Sequence, residues 1–353
     1  MPCQTAVLSR CSARSSTSTR MISPLHSFRY RSIALFRFVL AMAPALWIVG
    51  ASPSAGTSRP PTIVLNDGRE MPILGLGVLR TGYSTYDSVI SALKMGYRHI
   101  DTAQMYLNEA GVGRAVRASG IPREEIWITT KLSTVFDGPV TFAETLNTLR
   151  SSLSKLNMSY VDNYLIHSPK DKANRIDQWR ALIYAKEIGL TRSIGVSDYT
   201  VESLAEIVDL AVPAVLQIEI NPWLASVRTA ELAFCKEHNI VVEAWGVIAP
   251  ATSFGSNSEE PALIEVAAHQ PGSTVFGVLL MWSLQMGLAP LITSSNPEHQ
   301  AANLEVARSW GAGASLSDAE MTTLRALAAR PAFELGKDMS GGVGPWDPSF
   351  GGQ

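Results

Sequence analysis

Short apolar runs alternate with amphipathic stretches through most of this chain, and no other feature of the sequence constrains its fold as much. Segments 141–156, 201–210 and 227–237 place apolar residues at helical spacing, for example Leu146 and Leu149 on one face. Eight strands with intervening helices in roughly 230 residues are typical of a (β/α)8 barrel. The runs that predict these strands lie at 72–77, 97–101, 126–131, 161–167, 192–197, 214–220, 240–245 and 290–294.

A β-hairpin is expected immediately before the first barrel strand. Residues 62–65 read TIVL, the turn Asn66-Asp67-Gly68 follows, and REM continues the chain; such a turn strongly favours a hairpin. The rival fold is a doubly wound sheet, which would carry G-x-G-x-x-G after its first strand. The segment 75–82, GLGVLRTG, has no glycine at the third required position. We therefore predict the α/β class: a (β/α)8 TIM barrel with a short N-terminal β-hairpin.

Polar residues close seven of the predicted strands, although the strands themselves are largely apolar. Active sites of such barrels lie at the carboxyl ends of the strands. Seven polar ends on separate strands therefore predict one common functional rim. The residues concerned are Asp101, Lys131, His167, Ser197, Asn221, Trp245 and Ser294.

Six motifs follow one another along the body of the chain: GYRHIDTAQMYLNEAGVGRAV at 96–116, then WITTKLS, VDNYLIHSP, RSIGVSDY, VLQIEINPW and ITSSNPEHQAAN. In this order they resemble the aldo-keto reductase superfamily, and the likeness runs from residue 62 to about residue 330. The resemblance implies an oxidoreductase that reduces an aldehyde or ketone to an alcohol. It also implies NADPH or NADH as the cofactor and no metal ion.

Four residues of these motifs carry the chemistry that the resemblance implies: Asp101, Tyr106, Lys131 and His167. Hydride delivery to a carbonyl creates an alkoxide, which needs a proton donor in place as the charge develops. Tyrosine suits this role if its pKa of ~10 falls toward neutrality, and an ammonium such as that of Lys131 favours the phenolate. Asp101 then orients the lysine, and His167 hydrogen-bonds the substrate oxygen.

The resemblance also assigns the residues that bind the nicotinamide end of the cofactor: Gly77, Ser197, Asp198, Gln217 and Trp245. Gln217 and Ser197 are expected at the carboxamide, and the Trp245 ring is expected to stack on the nicotinamide. The family usually has asparagine where this chain has Asp198. An ionised acid accepts hydrogen bonds but does not donate them, so this contact is expected to differ.

At the adenosine end, the resemblance points to Thr293, Ser294, His299 and Asn303. The family usually has a lysine and an arginine here, which hold the 2′-phosphate of NADPH. Neither a threonine nor a largely neutral histidine replaces the bidentate contact of an arginine. We therefore expect NADH to serve at least comparably to NADPH.

The substrate pocket is expected to be open and apolar. Leu79 and Ser168 stand where many relatives have tryptophan, and Trp223 follows Asn221 and Pro222. This composition favours an aldehyde or ketone with some bulk as the small-molecule partner.

Two other functions remain open at this stage. A nicotinamide-nucleotide-binding regulatory barrel with weak catalysis is compatible with Asp198, Thr293 and Val78, which depart from the family pattern. A metal-dependent barrel hydrolase would use His99 and His167, but no clustered ligand spacing accompanies them. His99 is further expected to point away from the neighbours of Asp101.

Charge and cysteine content exclude several classes of partner for the barrel. Residues 1–60 hold seven arginines and no acidic residue, which leaves 22 of the 29 basic residues against all 31 acidic residues and a formal charge of −9 for the remainder. So acidic a domain argues against nucleic-acid binding. Cys3, Cys11 and Cys235 are too far apart for a disulfide framework or metal motif. A cytoplasmic monomer without membrane contact is expected.

The first sixty residues are expected to lie outside the fold, so that the barrel domain occupies 61–353. Their Ser/Arg-rich, acid-free composition suits a transit peptide, while the apolar run 38–50 has the length of a signal-peptide core. A start of translation at or near Met42 is the third alternative.

Overall fold

The structure, a computed structural model, describes residues 60–133, 140–251, 260–269 and 273–329. Eight parallel strands close into a barrel in the order β10-β3-β4-β5-β6-β7-β8-β9, and an antiparallel pair, β1 and β2, precedes them. This confirms the predicted TIM barrel and hairpin. The strands are β1 (Thr62–Val64), β2 (Glu70–Pro72), β3 (Gly75–Gly77), β4 (His99–Asp101), β5 (Trp127–Leu132), β6 (Val161–Ile166), β7 (Thr191–Ser197), β8 (Val215–Glu219), β9 (Val241–Trp245) and β10 (Ala289–Thr293).

Helices surround the barrel, and in the described part of the chain ten α-helices are present. Helices cover each barrel strand on its outer face, and side chains from the other barrel strands cover its inner face, so the strand is buried on both faces. The helices are α1 (Thr85–Met95), α2 (Glu109–Ala118), α3 (Phe142–Leu156), α4 (Arg175–Glu187), α5 (Val201–Ala205), α6 (Thr229–Glu237), α7 (Pro261–His269), α8 (Val275–Gln285), α9 (Pro297–Gly311) and α10 (Asp318–Arg325). No helix in these ranges has both the length and the apolar character needed to cross a membrane.

The hairpin packs against the amino-terminal end of the barrel, opposite the rim that carries the polar strand ends. Within the turn of the hairpin, the Asp67 carboxylate accepts hydrogen bonds from Lys186 Nζ at 2.9 Å and from Ser193 Oγ at 2.8 Å. The Asn66 side-chain amide donates to the Pro213 carbonyl oxygen at 2.8 Å. Met71, in hairpin strand β2, is fully buried.

Most predicted limits differ from the structure by one or two residues, and three of the differences are described here. The run 72–77 divides, because Pro72 ends hairpin strand β2 and only Gly75–Gly77 form the barrel strand. The helix expected at 201–210 stops at Ala205. The helix expected at 141–156 begins one residue later, because Thr141 is its N-cap and forms a capping box with Glu144.

Candidate active site

A fully buried lysine links the strand ends β4 and β5 at the rim. Lys131 Nζ lies 2.6 Å from Asp101 Oδ1, 2.9 Å from the Thr102 carbonyl oxygen and 3.5 Å from the Tyr106 hydroxyl. Parallel pairing places Asp101 opposite Thr129, two residues before Lys131, so both charged side chains arise at the same edge of the sheet. The structure thus brings three of the four predicted catalytic residues together.

The loop that carries Tyr106 is held in place by the side chain of Asn108. Asn108 Nδ2 donates to the Val78 carbonyl oxygen at 2.8 Å, and Asn108 Oδ1 accepts from the Thr102 hydroxyl at 2.7 Å. The intervening Leu107 has a left-handed backbone with φ of 56°. These contacts tie the loop to β3 and hold Tyr106 beside the lysine.

Burial and charge act in opposite directions on the two central groups. Burial alone disfavours the Lys131 ammonium, but the negative charge of Asp101 and the contact with Tyr106 outweigh it and raise the lysine pKa above its usual value. Burial raises the pKa of Tyr106 to about 12, although Lys131 acts in the opposite direction. The expected net lowering of the tyrosine pKa is therefore wrong for the protein without ligand, because desolvation exceeds the effect of the cation.

His167, the fourth predicted catalytic residue, lies beside the tyrosine. The two rings make an edge contact with centroids 5.6 Å apart. Burial, with the positive charges of Lys131 and Lys170, lowers the pKa of His167 well below 6.5, so the imidazole is neutral. Its Nδ1 atom is buried and has no hydrogen-bond partner in the described residues.

Beneath the lysine, an amide bridges two carboxyl groups. Gln217 Nε2 donates to Asp101 Oδ2 at 3.0 Å and to Glu243 Oε2 at 2.7 Å, so both amide hydrogens face inward. Only Oε1 of Gln217 remains to meet a nicotinamide carboxamide, as an acceptor. Burial, together with the charge of Asp101, raises the pKa of Glu243 to about 8.

Sequence reasoning missed Glu243 and misplaced His99. Residues two apart on a strand share a face, so the assignment of Trp245 to the rim could also have placed the side chain of Glu243 on that face of β9. The same rule corrects His99: it shares the face of Asp101, and its Nε2 lies 3.2 Å from Thr129 Oγ1 and 3.7 Å from Glu243 Oε1. Burial lowers the pKa of His99 to about 4.

The predicted nicotinamide residues adjoin this centre on β7, β8 and β9. Ser197 is buried, while Asp198 Oδ1 accepts a hydrogen bond from Trp245 Nε1 at 3.3 Å. The half-buried Trp245 ring, the acceptor oxygen of Gln217 and the hydroxyl of Ser197 fit an aromatic ring that carries a carboxamide. Gly77 lies across the rim, where a Cβ would approach Thr293 Oγ1 to 2.8 Å.

The predicted adenosine residues lie on β10 and the start of α9. Thr293 and His299 are exposed, whereas the Ser294 hydroxyl accepts from the backbone N–H of Asn296 at 3.2 Å. Asn303 is buried, and it acts on the Tyr97 side chain, whose hydroxyl donates to the Gln300 carbonyl oxygen at 3.1 Å. The acidic Glu298 stands next to His299 in the first turn of α9.

The three predicted substrate residues differ in exposure. Leu79 is half-buried and Ser168 nearly buried, whereas Trp223 is only 2% exposed and packs within the hydrophobic core. Asn221, predicted at the rim, uses Oδ1 to accept from the backbone N–H groups of Trp223 and Leu224 and so stabilises a turn. Their roles toward a substrate stay predictions.

Within the described ranges, no group of three or more histidine, cysteine, aspartate or glutamate side chains could hold a metal ion. The histidine closest to the floor of the site, His99, faces Pro72 O, Thr129 and Glu243 instead. The centre is thus a tyrosine, a lysine and an aspartate at the carboxyl end of a closed (β/α)8 barrel. This is the arrangement that the resemblance to the aldo-keto reductase superfamily implies for such a class of barrel oxidoreductases.

Sequence comparison agrees with that class. The profile described as the Aldo/keto reductase family matches residues 74–329. An aldo-keto reductase of Mycobacterium sp. (strain MCS) is 43% identical over 272 residues, which cover 76% of this chain and 90% of the relative. The chain belongs to the aldo/keto reductase family, and it is an oxidoreductase.

Solved structures show the same likeness. A Brucella melitensis aldo/keto reductase is 34% identical, with a TM-score of 0.68, over 76% of this chain and 99% of its own. A Bombyx mori aldo-keto reductase, solved in complex with NADP, is 28% identical with a TM-score of 0.69, over 79% and 96% of the two chains.

Proposed function

We propose that this protein reduces an aldehyde or ketone to an alcohol with a nicotinamide cofactor, and that Tyr106 is the general acid. The observation that carries the proposal is the position of Lys131 Nζ, buried between the Asp101 carboxylate and the Tyr106 hydroxyl. Packed apolar residues in place of a buried ion pair are often equally stable or more stable, so stability alone does not account for this lysine.

Tyr106 is protonated throughout the neutral range, because burial raises its pKa to about 12. It therefore holds the proton that an alkoxide must receive. As negative charge develops on the substrate oxygen, that oxygen becomes the stronger base and proton transfer becomes favourable. Lys131, 3.5 Å away, stabilises the phenolate that remains.

His167 orients the substrate carbonyl. The imidazole is neutral, and Nδ1 is buried without a partner in the described residues. Nε2 is then the ring nitrogen that donates a hydrogen bond to the carbonyl oxygen. Because the two rings are in edge contact, we expect this donor and the Tyr106 hydroxyl to address the same oxygen.

Gln217, Ser197, Asp198 and Trp245 would hold the nicotinamide, which supplies a hydride to the carbonyl carbon when bound. The NADP complex of the Bombyx mori relative supports a nicotinamide cofactor for this protein. Leu79 and Ser168 would face a substrate with some bulk. The full chain with NADH or NADPH and an aldehyde panel tests the reaction through loss of the reduced-nicotinamide absorbance.

Tyr106→Phe is the decisive variant, since it removes the hydroxyl and little else. We expect its kcat to fall by at least 100-fold, the range of general acid catalysis, with the Kd for the cofactor nearly unchanged. Tyr160→Phe, which alters a tyrosine stacked between Arg123 and Arg192, is the matched control and should keep its kcat.

Retention of most of the kcat in Tyr106→Phe would disprove the assignment. Cofactor binding by the wild-type protein without turnover of any carbonyl compound would instead favour the regulatory nucleotide-binding barrel. The substitutions Asp198, Thr293 and Val78 are the features that support that second function.

A further inference from the structure

Asp198 places a carboxylate where three strand ends meet. It follows Ser197 at the end of β7, and its backbone N–H donates to the Gln217 carbonyl oxygen at 2.9 Å. Its Oδ1 accepts from Trp245 Nε1 at 3.3 Å. The carboxylate is therefore fixed among the residues that the proposed function assigns to the nicotinamide, and the further inference rests on that function.

Cations surround Asp198 at a distance but do not neutralise it by contact. Arg228, Lys131 and Lys170 each act on its carboxyl through their positive charge, and Tyr106 is the other titratable group that faces it. No ion pair to Asp198 forms within the residues that the structure describes. Lys131 is already paired with Asp101 at 2.6 Å, so the Asp198 carboxylate has no cation in direct contact among the described residues.

A nicotinamide ring carries a positive charge when oxidised and none when reduced. We propose that Asp198 makes this site discriminate by redox state, so that the oxidised cofactor binds more tightly, relative to the reduced one, than it would beside an amide. An uncompensated carboxylate attracts the cationic ring and leaves the neutral ring unaffected. In the reducing direction, the same attraction slows the release of the oxidised cofactor.

The charge of Asp198 depends on pH in a known direction. Desolvation at the crowded rim raises its pKa to about 6, against the hydrogen bond from Trp245 and the charges of Arg228, Lys131 and Lys170. Asp198 is nevertheless exposed, so water screens much of this effect. In either case the carboxyl is ionised at pH 8 and the discrimination weakens in acid.

Asp198→Asn tests the proposal without loss of the fold. Asp198 has a left-handed backbone with φ of 56°, and asparagine adopts this region as readily as aspartate. Calorimetric titration would give Kd for NAD+ and NADH, and for NADP+ and NADPH, at pH 8 and pH 5. Both forms of one cofactor share the same adenosine end, so the ratio of their Kd values isolates the nicotinamide contact.

At pH 8 we expect Asp198→Asn to raise the ratio of the Kd for the oxidised form to the Kd for the reduced form by about tenfold, because only the oxidised form loses an attraction. At pH 5 the wild-type ratio should approach that of the variant. Asp209→Asn, which removes an exposed carboxylate elsewhere on the chain, should leave the ratio unchanged at both pH values.

The two proposals fail in different ways. Failure of the wild-type protein to bind any of the four nucleotides would overturn the proposed function. If all four nucleotides bind, but the ratio of oxidised to reduced Kd at pH 8 is the same in the wild-type protein and in Asp198→Asn, the redox discrimination alone is overturned.

Discussion

Single residues set the pH behaviour of the site, and Glu243 is a buried carboxyl that shares the amide of Gln217 with Asp101. Its pKa is raised from 4.5 to about 8, chiefly by burial. Between these values the folded protein keeps a proton that the unfolded chain releases. The free energy of unfolding therefore falls as pH rises through this window.

Glu243→Gln should remove that pH dependence, because the amide cannot ionise but still accepts from Gln217. We expect the variant to gain roughly 1–3 kcal/mol relative to wild type between pH 5 and pH 8. Urea unfolding at several pH values measures the gain. Glu237→Gln, at an exposed position on α6, is the control; equal pH slopes in wild type and Glu243→Gln would refute the assignment.

We expect single residues to decide the choice between NADH and NADPH as well. Thr293 and His299 replace the two cations usual in the family, and Glu298 adds a negative charge beside them. Each charge-assisted contact is worth roughly 1.5–3 kcal/mol, so the pair Thr293→Lys and His299→Arg should raise NADPH affinity at least tenfold. NADH lacks the 2′-phosphate and is the internal control.

In the wild-type protein we expect the Kd for NADH to be at most equal to that for NADPH. A strong NADPH preference before substitution, or equal gains for both cofactors after it, would contradict this account. The expected kcat is unchanged, since the substitutions affect only the contact with the phosphate.

The four residues that the structure brings together at the rim were predictable at the residue scale because the motifs contain them in order. The net pKa of Tyr106 was not, since it depends on how much water the folded barrel removes from the hydroxyl. The contact of Glu243 with Gln217 depends on the register between β8 and β9, which pairs these two residues. A single sequence does not specify that register.

At the scale of elements, all eight barrel strands were predicted because short apolar runs alternate regularly with amphipathic stretches along the chain. The shorter α5 was not predicted, since its sequence remains amphipathic beyond Ala205. The division of 72–77 arises from tertiary structure, because Pro72 completes the antiparallel pair with Thr62 before the chain turns into the barrel.

The hairpin offers a test of how much one element contributes to stability. Met71 is 0% exposed, while Val64, on the partner strand, is 38% exposed. Met71→Ala should lower the free energy of unfolding by about 2–4 kcal/mol, because it leaves a cavity under the barrel. Val64→Ala should cost less than about 0.5 kcal/mol.

Chemical denaturation would measure both hairpin variants, and kcat should be unchanged in each, because the hairpin lies at the end opposite the rim. Equal losses in the two variants would show that the hairpin does not close the core.

At the scale of the whole molecule, the hydrophobic core runs from Ile63 to Leu327. The predicted N-terminal extension lies outside the described residues. We expect deletion of residues 1–58 to leave a stable, soluble domain with a melting temperature within about 3 °C of the full chain, since less than 1 kcal/mol is at stake. Thermal unfolding of both forms measures it; an insoluble truncation or a loss of several kcal/mol would contradict the domain boundary.

The barrel closes between β3 and β10, where Gly75 pairs with Leu291 and Gly77 with Thr293. During translation these partners leave the ribosome 216 residues apart, which at 5–20 residues per second corresponds to roughly 10–40 s. Throughout that interval the outer edge of β3 has no strand to pair with. A nascent chain of this protein must therefore carry an open sheet edge, the kind of surface that chaperones shield, until its last barrel strand is made.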